Sequence, residues 1–137
     1  MTFLVERLVE LRRHLDHLEA LRPRVVDARA LASDLSLHND VLFSLLTVAQ
    51  VVIDVAGELS ARAGHRFEDY TTAVRNLAWF DDFPPELVEA LARLPGFRNV
   101  LVHEYVGIDY ELVLQALDRL APVEEFLQIV RKRIAEK

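Results

Sequence analysis

The chain has no cysteine among its 137 residues. That excludes disulfides, thiolate zinc sites and a cysteine nucleophile. Glycine and proline are scarce, at four and five, which leaves little room for a turn-rich β fold. Positive charge is also short. Lys and Arg number 16 against 22 Asp and Glu, a net charge of −6. A general nucleic-acid binder is normally basic, so any contact with RNA has to be local. Met1 to Leu21 is charged at every turn, so no secretory leader is expected and the cytoplasm is the expected compartment. Apolar residues are plentiful, at 52%, with 28% charged. That balance describes a folded chain with a real core, expected as one domain over residues 1–137.

Periodicity predicts helices throughout. Leu4, Leu8, Leu11, Leu15 and Leu18 recur at spacings of four and three, one apolar stripe over Thr2 to Leu21. His14 and His17 share that helix, and with no metalloprotease-like context they read as a solvated pair rather than metal ligands. Pro23 marks a break, and Arg24 to Ser33 is a weaker helical piece, with Ser33 and Asp34 as caps for the next helix. Asp34 to Gly64 is the most apolar segment, with Val41, Leu45, Val48, Val52 and Val55 spread over nearly the whole wheel. Such a helix is central and covered by neighbours. Ser44, Thr47, Gln50 and Asp54 interrupt it, so no membrane span is expected. A short helix over Asp69 to Phe80 should turn Tyr70, Val74, Leu77 and Ala78 inward, with Trp79, Phe80 and Phe83 as core or interface plugs. Pro84-Pro85 open another helix, and Pro95-Gly96 should divide it from the segment that follows. Asp109 to Lys137 reads as one long helix kinked at Pro122. The expected architecture is all-α, an up-and-down bundle of about five helices.

One stretch breaks the apolar pattern. Arg98-Asn99-Val100-Leu101-Val102-His103-Glu104-Tyr105 sets a guanidinium, an imidazole and a phenol among Val and Leu. Each needs a polar partner if it faces the core, and such conflicts concentrate at functional sites. On a helical wheel Arg98 and Tyr105 lie about 20° apart, Asn99 and His103 about 40°, and Arg98 and His103 about 140°. One copy cannot easily clamp a phosphate between Arg98 and His103, whereas two copies about a two-fold axis can. Gln50, Asp54 and Glu58 form an i, i+4, i+8 polar row on the central helix. That row either edges solvent, bonds a neighbouring helix, or brings Asp54 to orient Arg98 or His103.

Arg98, four residues, His103, one residue and Tyr105 resemble the R-x4-H-x-Y signature of HEPN-domain proteins. The wider run from Gly96 to Tyr105, with Asp109 after it, resembles the HepT-like toxins of prokaryotic toxin–antitoxin pairs. The resemblance implies a HEPN-like bundle and a metal-independent endoribonuclease acting as a homodimer, with Arg98 and His103 catalytic. Asn99, Tyr105 and Asp54 would support them, and no cofactor or metal is called for. Arginine suits the charged phosphorane through its fixed fork of donors, and histidine suits acid or base work near neutral pH. The resemblance also implies an MNT-type nucleotidyltransferase antitoxin that transfers AMP to Tyr105. The competing expectations are a non-catalytic accessory subunit of a nucleotidyltransferase and a structural dimer with the motif buried as a hydrogen-bond network.

Overall fold

The leucine stripe of the first segment is buried from end to end in α1 (Thr2–Leu21), with Leu11 and Leu18 fully covered. The computed structural model describes residues 2–136, the side chain of Tyr105 excepted. Pro23 lies in a 3-10 turn, Arg22–Arg24, that ends α1. The weaker piece becomes helical only at α2 (Ala28–Ser33), where the Asp27 carboxylate accepts from Ala30 N–H at 3.0 Å. Asp34 then caps α3 (Leu35–Arg62) by accepting from Leu37 N–H at 3.1 Å, satisfying one orphan donor of the first turn.

This helix is the axis of the molecule. Val41, Val48, Ala49, Val52, Val55 and Ala56 are buried on several sides, and its contact with α1 is the most extensive between any two helices. By length and composition alone it could cross a bilayer, but most of its apolar window is buried against its neighbours. Its end is well defined. Gly64, at φ +78°, supplies the left-handed residue, Gly64 N–H donates to Ala61 O at 3.1 Å, and His65 N–H donates to Ser60 O at 2.9 Å. That pair of bonds is the Schellman closure that glycine favours.

Five shorter elements complete the cover: α4 (Tyr70–Arg75), α5 (Pro85–Leu91), α6 (Leu94–His103), α7 (Tyr110–Leu117) and α8 (Ala121–Ala135). Among the described residues there are eight α-helices and no strand. The all-α bundle is as expected, and the helix count exceeds five because the connecting pieces are helical in their own right. Two expected boundaries move for one reason. Pro95 and Pro122 each sit in the first turn of a helix rather than at a break or kink. There the missing N–H would be unpaired anyway. The division before the motif therefore falls at Ala92–Arg93, and the C-terminal segment is two helices rather than one bent one.

The inward expectations around α4 are also corrected. Tyr70 is 43% and Trp79 69% exposed, and Ala78 is exposed as well. A 3-10 turn, Asn76–Trp79, follows α4 and changes the angular step, so Asn76 and Leu77 turn in while Ala78 and Trp79 turn out. Trp79 stacks on His65 with centroids 5.0 Å apart. Phe83 is the true plug, buried against Phe126 of α8.

Two outcomes test this packing. Phe126 is fully buried, so Phe126→Ala should lower the unfolding free energy by about 3–5 kcal/mol, and Asp34→Ala, which loses the α3 cap and an exposed ion pair to Arg24, by about 1–2 kcal/mol. Urea unfolding followed by far-ultraviolet dichroism measures both. The second concerns His14, whose Nδ1 lies 2.9 Å from Ser44 Oγ. Burial holds its pKa below the ordinary value, against the opposing pull of Glu10. The unfolded imidazole therefore protonates first as pH falls. Its contribution is complete above about pH 6.5 and is lost as pH drops through the folded pKa. His14→Gln should flatten the decline in urea midpoint on the acid side of neutrality. An unchanged pH profile would show that His14 does not govern it.

Candidate active site

Three helices build one cleft. α6 packs along α3 and presents Arg98, while α1 passes on the other side and presents Arg7 and Glu10. The cleft has a volume of about 370 Å3, and Thr47, Gln50, Asp54 and Val102 also line it. Arg98 is half-buried. Its Nε donates to Gln50 Oε1 at 3.0 Å, and one terminal nitrogen donates to Asn99 Oδ1 at 3.2 Å. The ring of Tyr70 lies 5.5 Å from the guanidinium carbon, close enough for a cation–π contact.

Gln50 is oriented in turn. Its Nε2 donates to Asp54 Oδ1 at 2.8 Å, and only this setting of the amide lets Oε1 accept from Arg98. Asp54 Oδ2 lies 3.6 Å from Arg7 Nε. A continuous polar chain thus runs from Arg98 through Gln50 and Asp54 to Arg7, along the exposed edge of an otherwise apolar helix. Of the polar row, Gln50 and Asp54 turn into the cleft, while Glu58 accepts from Arg62 at 2.6 Å and stays outside it.

Asp54 therefore stands in the cleft but reaches Arg98 through Gln50 and not directly. Sequence reasoning placed Gln50 in the row without seeing that it holds the guanidinium. It missed Arg7, because a stripe of leucines says which side of α1 is buried but not which flank meets α3. His14 and His17 do not converge. His14 bonds Ser44, and His17 lies 3.8 Å from Asp40.

The imidazole of His103 stands apart. It is exposed at the last residue of α6 and does not line the cleft. α6 stops there, and Tyr105 lies in a following 3-10 turn, Tyr105–Gly107. The expected common arc of Arg98 and Tyr105 does not exist, since helical spacing no longer applies past Glu104. The expected placement of the Tyr105 hydroxyl lies outside the described residues. Chemically, the cleft offers a fixed cationic fork for an anion, and the helix end offers a group able to move protons at neutral pH.

The profile of the family described as ribonuclease HepT-like matches residues 11–130. A protein of Archaeoglobus fulgidus with the provisional name RNase is 35% identical over 93 residues, 67% of this chain and 70% of its own length. A protein of Aphanizomenon flos-aquae named tRNA nuclease HepT is 29% identical over 111 residues, 81% of this chain and 75% of that one. Among solved structures, the tri-AMPylated HEPN toxin of Shewanella oneidensis in complex with an MNT antitoxin matches with a TM-score of 0.83 at 16% identity, over 96% of this chain and 98% of that one. A toxin–antitoxin complex with AMP-PNP matches with a TM-score of 0.83 at 16% identity, over 96% and 99% of the two chains. At that identity the solved structures speak for the fold. The profile match spans α3, α6 and the whole R-x4-H-x-Y stretch, and the chain belongs to the HepT-like ribonuclease family.

Proposed function

We propose that the protein is the toxin of a toxin–antitoxin pair and cleaves RNA without a metal ion, as a homodimer, through Arg98 and His103. One observation carries the dimer. Arg98 is held inside the cleft by Gln50, while His103 of the same helix is exposed outside it. Five residues of helix turn them about 140° apart. A second copy related by a two-fold axis supplies the missing imidazole. Exposed apolar groups near the motif favour such a contact. Phe43 is 63% and Val106 87% exposed, and Phe43 stands one turn before Thr47 of the cleft.

In this reading the Arg98 fork binds the scissile phosphate and stabilises the charge that gathers on it. One His103 takes the proton of the ribose 2′-OH, and the other returns a proton to the leaving 5′ oxygen. Asn99 fixes a terminal nitrogen of Arg98. Asp54 supports the site by holding Gln50 and takes no part in proton transfer. Family membership and the nuclease name of the Aphanizomenon relative support an RNA substrate. The MNT antitoxin and AMPylation named for the Shewanella complex support a nucleotidyltransferase partner that attaches AMP to Tyr105. An adenylate placed there adds negative charge to the motif and repels RNA.

The net charge of −6 favours a second reading, an accessory subunit of a nucleotidyltransferase with no cleavage of its own. Growth arrest on expression without the partner separates the two, since only a nuclease produces it.

Cleavage of a mixed RNA pool, with and without chelator, tests the mechanism. Wild type should cut in both. His103→Ala and Arg98→Ala should each lose about 10²–10⁴-fold, and Asp54→Asn should lose less. A monomer by light scattering at micromolar concentration, with full activity, would sink the shared site. For the control step, wild type incubated with the cognate nucleotidyltransferase and ATP should gain whole AMP masses and lose activity. Tyr105→Phe should gain none and stay toxic. Inhibition of an unmodified wild type would point to control by complex formation instead.

A further inference from the structure

The cleft holds a second guanidinium that the motif does not include. Arg7 stands on α1 and lines the same space as Arg98, and it lies outside residues 11–130 that the family profile covers. It is oriented but under-used. Phe3 sits beneath it, with the guanidinium carbon 4.4 Å from the ring centroid. Its Nε lies 3.6 Å from Asp54 Oδ2, too far for a hydrogen bond, and the other oxygen of that carboxylate is engaged by Gln50. An arginine whose task is to tie two helices together closes onto its carboxylate with both arms. Arg12 does so with Glu124 of α8 in this same chain. Arg7 does not close, and 35% of its side chain remains exposed.

The other charged groups at the cleft are two carboxylates, and each already has partners of its own. Glu10 lines the cleft with its carboxylate already engaged, accepting from Arg13 at 2.6 Å and lying 3.5 Å from His14. Asp54 is spent on Gln50 and lies between the two guanidinium groups along the polar chain, where it holds their spacing. An acidic protein that binds RNA only locally needs more than one fixed cation, because a lone arginine positions a phosphate but does not set the path of a strand.

We propose that Arg7 is a second phosphate-binding residue. With Arg98 on the scissile phosphate, Arg7 takes a neighbouring phosphate of the same single strand, so that the strand runs from α6 across α3 toward α1. This rests on the ribonuclease reading above. Each phosphate neutralised on a single strand adds about 0.7 to the slope of log affinity against log salt, and a charge-assisted hydrogen bond is worth roughly tenfold in affinity.

The test is equilibrium binding of a 2′-O-methyl single-stranded RNA, which cannot be cut, over a salt series, beside cleavage kinetics on the unmodified strand. Arg7→Gln should weaken binding roughly tenfold and reduce the salt slope by about 0.7, with the loss in cleavage falling on KM more than on kcat. Arg7→Lys should keep the slope. The double variant Arg7→Gln with Asp54→Asn should keep the Arg7→Gln defect, because a lost phosphate contact is not restored by removing the carboxylate. If Arg7→Gln leaves the slope unchanged, or if the double variant returns to wild-type binding, Arg7 merely neutralises Asp54 and the proposal fails while the ribonuclease reading stands. A wild type that neither binds nor cuts RNA overturns both.

Discussion

The apolar surface of α3 has to be covered on nearly every side, and the other helices are arranged to do that. A 28-residue helix with Val, Leu, Ile and Ala around most of its circumference cannot face water without losing the main term that folds the chain. α1 covers one flank with its leucine stripe, α6 a second, α4 its C-terminal half, and α8 contributes Phe126, Leu127 and Val130 to the same core. Of the short helices, α2, α4 and α7 lie on this axis and α5 packs on α4 and α8, which explains why pieces of six to eight residues hold helical form. Isolated helices of that length are marginal, and tertiary burial stabilises them.

The same constraint creates the site. Where α3 is not apolar, at Gln50 and Asp54, the covering helices must bring polar partners, because a buried amide or carboxylate without one costs free energy. α6 brings Arg98 and α1 brings Arg7. The cleft is an edge of the axis where packing gives way to charge. Its polar groups stand on helices rather than loops, an arrangement that places side chains more precisely than loops do. The histidine lies at the last residue of α6, next to a 3-10 turn.

Proline placement shows how local chemistry reads in two ways. Pro95 and Pro122 each suggested an interruption, and each instead begins a helix. The ring forbids the helix interior but is at ease in the first turn. Which applies depends on whether the four-residue bonding pattern has already lapsed before the proline, as at Arg93 and Arg119, whose N–H groups donate three residues back to Ala90 and Ala116. Spacing within the sequence does not record that.

Helix-forming periodicity, the central position of α3, the caps at Asp34 and Gly64, and the suspicious cluster from Arg98 to Tyr105 were all legible in the residues. Each depends on interactions within one or two turns, which sequence neighbours dictate. The resemblance to HEPN proteins rested on such a local run and agrees with the family to which the chain belongs. The partners of that run were not legible. That Arg98 is held by Gln50 and not by Asp54, that Arg7 shares the cleft, and that His103 faces away from it depend on how α1, α3 and α6 rotate about their axes. Burial of their apolar stripes fixes those rotations to within a side chain or two, and contacts between residues 48 positions apart follow from packing three helices at once. Sequence thus determined which surfaces must be buried, and only the tertiary structure decided which polar groups meet at the edge that remained.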